Sequence, residues 1–352
     1  MENKTNNKFT PLKNLGEFGL IDHLTKDIRT IHSSTIKGIG DDAAVLDYGK
    51  KFIVVTTDIL TEGVHFNLVY TPLKHLGYKA VIVNLSDIYA MNAYPRQVTV
   101  SLTISAKFSL EHIEELYTGI KQACDKYGVD LIGGDTTSSF TGLTLRITAI
   151  GEVDKEKVVY RSGAKLNDLI CVSGNLGAAY MGLQLLERER KLFEKGGVEK
   201  PDFGDYNYIL ERQLKPEARK DVIEMFKEIG VQPTSMIDIS DGLSSELLHI
   251  CKSSDTGCSI YQDKIPIEAE TARMANEFNI PPLTAALNGG EDYELLFTLP
   301  LHTFEAISSR TEISIIGHIT DKKQGCHLIL DSGSEVEIKA QGWNALSDKN
   351  DL

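Results

Sequence analysis

The sequence predicts an α/β (α+β) fold in two parts: an N-terminal mixed sheet with helices on one face, then a C-terminal α/β unit. Three patterns carry this expectation. QVTVSLTI (97–104) and LTLRITAIGEV (143–153) alternate apolar and polar residues, as half-buried strands do. The stretch opened by Ser109 and closed near Gly128 instead sets Ile113, Leu116, Ile120 and Cys124 along one helical face. After VVYRSGAKLNDLI (158–170) the rhythm changes to strand, helix, strand.

In chain order, residues 1–14 read as a flexible polar arm with no apolar secretory core. KFIVVTT (51–57) is a strand expected to end at Asp58, and PLKHLGYKAVIVNLSDIYAMNA (72–93) a helix with Leu76, Ala80, Val83, Asp87 and Met91 on one stripe. The second unit begins with a strand at LICVSG (169–174) and a helix through GAAYMGLQLLERERKL (177–192). A charged, aperiodic loop over 191–209 and a helix in PEARKDVIEMFKEIG (216–230) come next. SMIDIS (235–240), a helix from Asp241, and strands in YELLFTL (293–299) and ISIIGHI (313–319) complete it. The expected division is therefore 15–158 and 159–352, behind the arm.

Composition narrows the function classes. With 37 basic and 50 acidic residues the net charge is −13, which disfavours nucleic acid and anionic lipid as partners. No window approaches 18 uninterrupted apolar residues, so neither a membrane span nor a membrane partner is expected. The five cysteines lack CxxC spacing, which suggests neither a disulfide framework nor a structural zinc site, and a cytoplasmic location follows as the default.

The placement of aspartates is the most telling feature. Asp41 and Asp42 follow Gly40, Asp58 closes TTD, Asp135 follows Gly133 and Gly134, and Asp238 and Asp241 bracket IDISDG. Any one of them is equally well a helix cap or turn residue; together they point to hard oxygen ligands for Mg²⁺. Asp87, in an apolar stripe, needs a cation, either a metal or an arginine. Thr56 and Thr57 could add hydroxyls, but alternation puts Thr56 and Asp58 on one face and Thr57 on the other. If their segment is extended, alternation separates Asp41 from Asp42 likewise, and the expectation assigns Asp41 to metal and Asp42 to the turn. There is no P-loop, GxGxxG or protein-kinase motif. Arg161, in RSGA, is either a phosphate clamp or a salt bridge between the two parts.

GEFGLI (16–21), GDDAAV (40–45), TTDILTEGVHF (56–66), NLSDIYAMNAYP (84–95), GGDTT (133–137), RSGA (161–164), ISDGL (239–243) and GGEDYEL (289–295) occur in that order. Together they resemble the thiamine-monophosphate kinase family, within the ATP-binding superfamily that includes aminoimidazole ribonucleotide synthetase. The resemblance implies the two-domain fold of that superfamily, with N-terminal strands pairing across a homodimer. It implies ATP and thiamine monophosphate bound between the domains with several Mg²⁺ ions. Carried over by motif, Asp41, Thr56, Thr57, Asp58, Asp87, Asp135, Asp238 and Asp241 would be metal ligands. Gly134, Asp135, Arg161, Ser240 and Tyr117 would contact the nucleotide, and His65, Glu291 and Trp343 the thiamine phosphate. Asn92 departs from the pattern, standing where the family usually has glycine.

The implied reaction forms thiamine diphosphate, the last step of its biosynthesis, by direct in-line transfer. The acceptor is a phosphate, with a second pKa near ~6, so it needs no general base. That agrees with the lack of any candidate catalytic histidine, lysine or nucleophile. Other enzymes of the superfamily would share the aspartates without combining EGVHF and GGEDYEL.

Overall fold

The structure, a computed structural model, describes Leu12 and residues 15–196 and 203–340. Its first sheet contains β1 (Thr35–Lys37), β2 (Ala44–Asp47), β3 (Lys51–Thr61), β4 (Tyr94–Ser105), β5 (Asp130–Ser139) and β6 (Thr144–Asp154), in the order β1-β2-β3-β6-β4-β5. Only β4 and β5 run parallel, so the sheet is mixed, as expected. Helix α1 (Gly16–Thr25) precedes it, and α2 (Leu73–Ala90) and α3 (Leu110–Tyr127) are its other helices. α2 is buried almost throughout, because the sheet lies on one side of it and α3 on the other.

Glycine sets how closely the two helices cross. A Cβ on Gly77 would stand 2.0 Å from the Leu116 carbonyl oxygen, and one on Gly119 1.8 Å from that of Lys74. The backbones therefore meet directly, which fixes α2, and with it Asp87, against β3. At the C-terminal end of α2, Asn92 adopts φ 55, a left-handed conformation that asparagine tolerates better than most residues. Its side chain donates to the Lys157 carbonyl at 2.8 Å, which holds this conformation without glycine.

The second sheet has the order β13-β12-β9-β11-β7-β10-β8. Its strands are β7 (Leu169–Ser173), β8 (Ser235–Asp238), β9 (Gly257–Tyr261), β10 (Leu295–Leu299), β11 (Ile313–Thr320), β12 (Cys326–Ile329) and β13 (Glu335–Glu337). Around it pack α4 (Ala178–Glu194), α5 (Asn207–Leu214), α6 (Lys220–Ile229) and α7 (Leu243–Ser254). One face joins the core beneath α2 through Phe226 and Phe297, whose rings meet edge-on at 5.0 Å. The other is covered by α7 through Leu247, Ile250 and Cys251. Among the described residues no helix is long and apolar enough to cross a membrane.

Four local expectations are corrected. β3 does not end at Asp58 but runs to Thr61, because β6 pairs with it along its whole length. Residues 133–135 are no turn: they lie inside β5, where Gly134 sits against the Val100 carbonyl of β4. The supposed loop over 191–209 is helical at both ends, in α4 and α5. The helix after Asp241 starts two residues later, since Gly242 takes φ 118.

Candidate metal and substrate site

The site forms where the two sheets meet. Asp58 projects from the middle of β3, Asp87 from the last turn of α2, Asp238 from the end of β8, and Asp42 from the turn before β2. Carboxylate oxygens of Asp42, Asp87 and Asp238 lie within 4.8 Å of one another. Thr56 donates its hydroxyl to Asp87 at 2.6 Å, and Asp58 is close enough to Asp87 for the two carboxylates to repel. Ser86 donates to Asp238 at 2.6 Å, linking α2 to the second sheet.

So many buried carboxylates cannot all ionise cheaply. Burial lifts Asp42 to about 7, although Arg161 opposes the rise. Burial likewise takes Asp58 and Asp238 to about 6, and neighbouring carboxylates add to it. Asp87 rises well above the carboxylate range, first through burial and then through Asp58, Asp238 and Asp42. Asp241 reaches about 6 by burial and the nearness of Glu17 on α1. One oxygen of Asp42, Oδ2, is buried without a hydrogen-bond partner.

Arg161 is the cation of this cluster. Its guanidinium bonds Asp42 Oδ1 at 2.6 Å and 3.1 Å, so a salt bridge between the two parts is what the structure contains. Its backbone N–H goes to Asp41 Oδ1 at 3.0 Å, and Lys37 lies 3.4 Å from Asp41 Oδ2. The expected division between the paired aspartates is thus reversed: Asp42 joins the carboxylates, and Asp41 holds the turn. Alternation would send an extended pair to opposite faces, but these two lie in the turn before β2, where contact with Arg161 and Lys37 decides which one faces inward.

Beside the cluster, IDIS and GGEDYEL are laced together. Glu291 N–H bonds the Ser240 carbonyl at 2.7 Å, and Tyr293 N–H bonds that of Ile239 at 2.9 Å. A Cβ on Gly290 would stand 2.3 Å from the Ser240 oxygen, so this approach needs glycine. Glu291 and Tyr293 are held at φ 66 and 52, left-handed positions that cost about 1–2 kcal/mol each. Asp292, fully buried, anchors the loop by accepting the Gly177 N–H at 2.7 Å.

Glu291 meets Lys79 at 3.1 Å and accepts from Gln213 at 2.7 Å. Lys79 is buried on α2 and also donates to the Gln213 carbonyl at 3.0 Å. Sequence reasoning missed Lys79 and Gln213, although Lys79 is the one charge between Gly77 and Asn84 in an otherwise apolar helix. His65 lines the same cavity as Lys79 and Gln213. It accepts the Thr61 N–H on Nδ1 at 3.0 Å, which leaves its proton on Nε2, and burial lowers its pKa.

Other expected residues are not brought here. Thr57 faces the opposite side of the sheet, accepting from Arg146 and Thr148 at 3.1 Å each. The row Ile59–Arg146–Ser101–Asp135 crosses that same outer face, so strand geometry removes Asp135 from the cluster within one chain. Asp135 and Gly134 lie on exposed β5, and Tyr117 of α3 packs against the core. Trp343 lies outside the described residues, as does most of the 1–14 arm.

A family model described as "AIR synthase related protein, N-terminal domain" matches residues 40–153. Fold and match together define an AIR synthase-related N-terminal domain over those residues. The chain is 35% identical to thiamine-monophosphate kinase of Aquifex aeolicus, over 94% of this chain and 98% of the relative. It is 33% identical to the Bacillus subtilis enzyme of the same name, over 94% and 99%. The solved structure "AaThiL complexed with AMPPCP and TMP" superposes with TM-score 0.82 at 31% identity, covering 96% of this chain and 99% of that one. The chain belongs to the thiamine-monophosphate kinase family, a family of kinase enzymes.

The raised carboxyl groups make stability depend on pH in a stated direction. Between pH ~4 and ~7 the folded protein holds protons on Asp42, Asp58 and Asp238 that the unfolded chain has released. Their contribution is therefore fully present below pH ~4 and is lost as pH rises through 6 to 7. His65, His75 and His249, lowered by burial, act the other way, but with or without a divalent ion. The difference in Tm with and without saturating Mg²⁺ should accordingly grow from pH 4 to 7. A difference that is absent, or the same at both ends, would contradict the cation-binding reading of the cluster.

Proposed function

We propose that this protein phosphorylates thiamine monophosphate with ATP to give thiamine diphosphate, by direct in-line transfer in the cytoplasm, as the last step of thiamine diphosphate synthesis. The observation that carries this is the convergence of Asp42, Asp87 and Asp238 oxygens within 4.8 Å, in a chain so similar to enzymes of that name. The residues fit Mg²⁺: the donors are hard carboxylate oxygens, and Asp42 Oδ2 is buried without a partner. Asp42, Asp58, Asp87 and Asp238 would hold it, with Asp241 beside them and Asp41 and Thr56 as supports. Bound there, Mg²⁺ would screen the repulsion between two anionic phosphates and align them.

The chain's own groups do the rest. Lys79 and the Nε2–H of His65 offer positive charge and a donor to the acceptor phosphate, while Glu291 suits the cationic thiamine portion. Arg161 can exchange Asp42 for a nucleotide phosphate once a cation occupies the cluster. No side chain need remove a proton, because the acceptor is largely ionised at pH 7.

The nucleotide roles of Gly134, Asp135 and Tyr117, and any metal role of Asp135, call for a homodimer through the part spanning 15–158. Ile59, Leu131, Ile132 and Phe140 are exposed on and beside this sheet, which supports a second copy covering it. The part spanning 159–352 would close the other side of the cleft.

In assays of ADP release dependent on thiamine monophosphate, Asp42→Asn and Asp58→Asn should each lower kcat by roughly 100-fold or more, and Asp41→Asn by under ~10-fold. Lys79→Met should raise KM for thiamine monophosphate more than it lowers kcat. Wild-type turnover by Asp42→Asn, or no acceptor-dependent ADP from the wild type, would sink the reading. In sedimentation velocity the protein should run as a dimer, and Ile132→Asp should shift it towards monomer; a wild type that stays monomeric at all concentrations would remove the shared-site role of Asp135.

A further inference from the structure

Outside the carboxylate site, the described residues bring together a second cluster of side chains of metal-ligating type. Cys251 lies in the last turns of α7, Cys258 in β9, and Cys326 at the start of β12. β9 and β12 run parallel with Cys258 directly opposite Cys326, so both side chains stand on one face of the sheet. α7 packs over that face and delivers Cys251. The three sulfurs lie within 4.8 Å of one another, and all three are free thiols. Cys124 and Cys171 stand apart, in α3 and β7.

A single buried cysteine is ordinarily a small apolar core residue. Three converging from separate elements are a different matter, and two further features fit a ligand. Cys326 is only partly buried, which leaves a way in from solvent. The buried hydroxyl of Thr256, next to the Cys251 sulfur, has no hydrogen-bond partner of good geometry. Tetrahedral zinc with Zn–S bonds of ~2.3 Å needs sulfurs about 3.8 Å apart, a contraction that side-chain rotation supplies. Soft thiolates select Zn²⁺ over the Mg²⁺ that suits the aspartates.

We propose that Cys251, Cys258 and Cys326 bind one Zn²⁺ ion as three thiolates, with a water in the fourth position on the side where Cys326 meets solvent. Binding replaces three S–H bonds with three Zn–S bonds and releases the protons to solvent. The ion ties the C-terminal end of α7 to β9 and β12. Since α7 begins just after Asp241, zinc braces the element that follows the carboxylate site without belonging to it.

The test uses the full-length protein, reduced and freed of metal, with saturating Mg²⁺ to fill the carboxylates. Titrated with Zn²⁺ against a chromophoric chelator, it should take up one equivalent. Zn²⁺ should protect Cys326 from alkylation in the wild type, a readout that needs no variant, and Co²⁺ in its place should give intense thiolate-to-metal absorption in the near ultraviolet. Cys326→Ser should weaken Zn²⁺ binding by ~100-fold or more, abolish that absorption and lose the rise in Tm that Zn²⁺ gives the wild type. Cys124→Ser should keep all three. No uptake, uptake undiminished in Cys326→Ser, or a disulfide among the three with no uptake would overturn the proposal.

Discussion

Buried carboxylates drawn from both sheets repel one another, and the fold brings them together nonetheless. Asp58 and Asp87 belong to the first sheet and its helix, Asp238 to the second sheet, and Asp42 to the turn that faces both. Leaving such groups charged and unpaired costs several kcal/mol each. The chain limits the cost in two ways: burial and mutual repulsion raise the carboxyl pKa values, so that protons are held to higher pH, and Arg161 lies against Asp42. In the function proposed above, both devices give way to a divalent cation, and the acidic cluster is then half of a complex whose other half is cationic.

Much of the remaining structure holds that cluster in place. The glycine crossing of α2 and α3 seats Asp87, while Ser86, next along the same helix, reaches Asp238 across the gap between sheets. The loop carrying Glu291 accepts two left-handed residues so that it can lie against Ser240 and Ile239. Asp292, Glu294, Arg212 and Arg219 form a buried ionic network behind it, with Arg212 2.9 Å from Glu294. That network sets two carboxylates against two arginines, whereas the cluster in front sets Asp42, Asp58, Asp87 and Asp238 against Arg161.

How much could be read from the sequence depends on what each residue's signal encodes. Strand alternation revealed the first sheet and put Thr56 with Asp58, because side-chain parity is a local property. The second sheet showed only as a rhythm of strands and helices, since β7, β8 and β10 are buried on both faces and do not alternate. The sense of Asp41 and Asp42 was not local: it depends on Arg161, more than a hundred residues away. GGD resembled a turn because glycine usually marks one, yet Gly134 is required by the carbonyl of a neighbouring strand. Lys79 did leave a trace, a lone charge in an apolar helix, whereas Gln213 left none. The three clustered cysteines share no spacing motif because a helix end and two strands, not a loop, assemble them.

The central claim, that the carboxylate cluster exists to hold divalent cations against nucleotide phosphates, is tested most directly by binding without turnover. Mn²⁺, an oxygen-preferring ion with a paramagnetic signal, can be titrated into the protein in the presence of a non-hydrolysable ATP analogue. The account predicts protein-bound Mn²⁺ whose affinity increases with the analogue and falls sharply in Asp238→Asn, with the fold unchanged by circular dichroism. Equal Mn²⁺ binding by wild type and Asp238→Asn would contradict it.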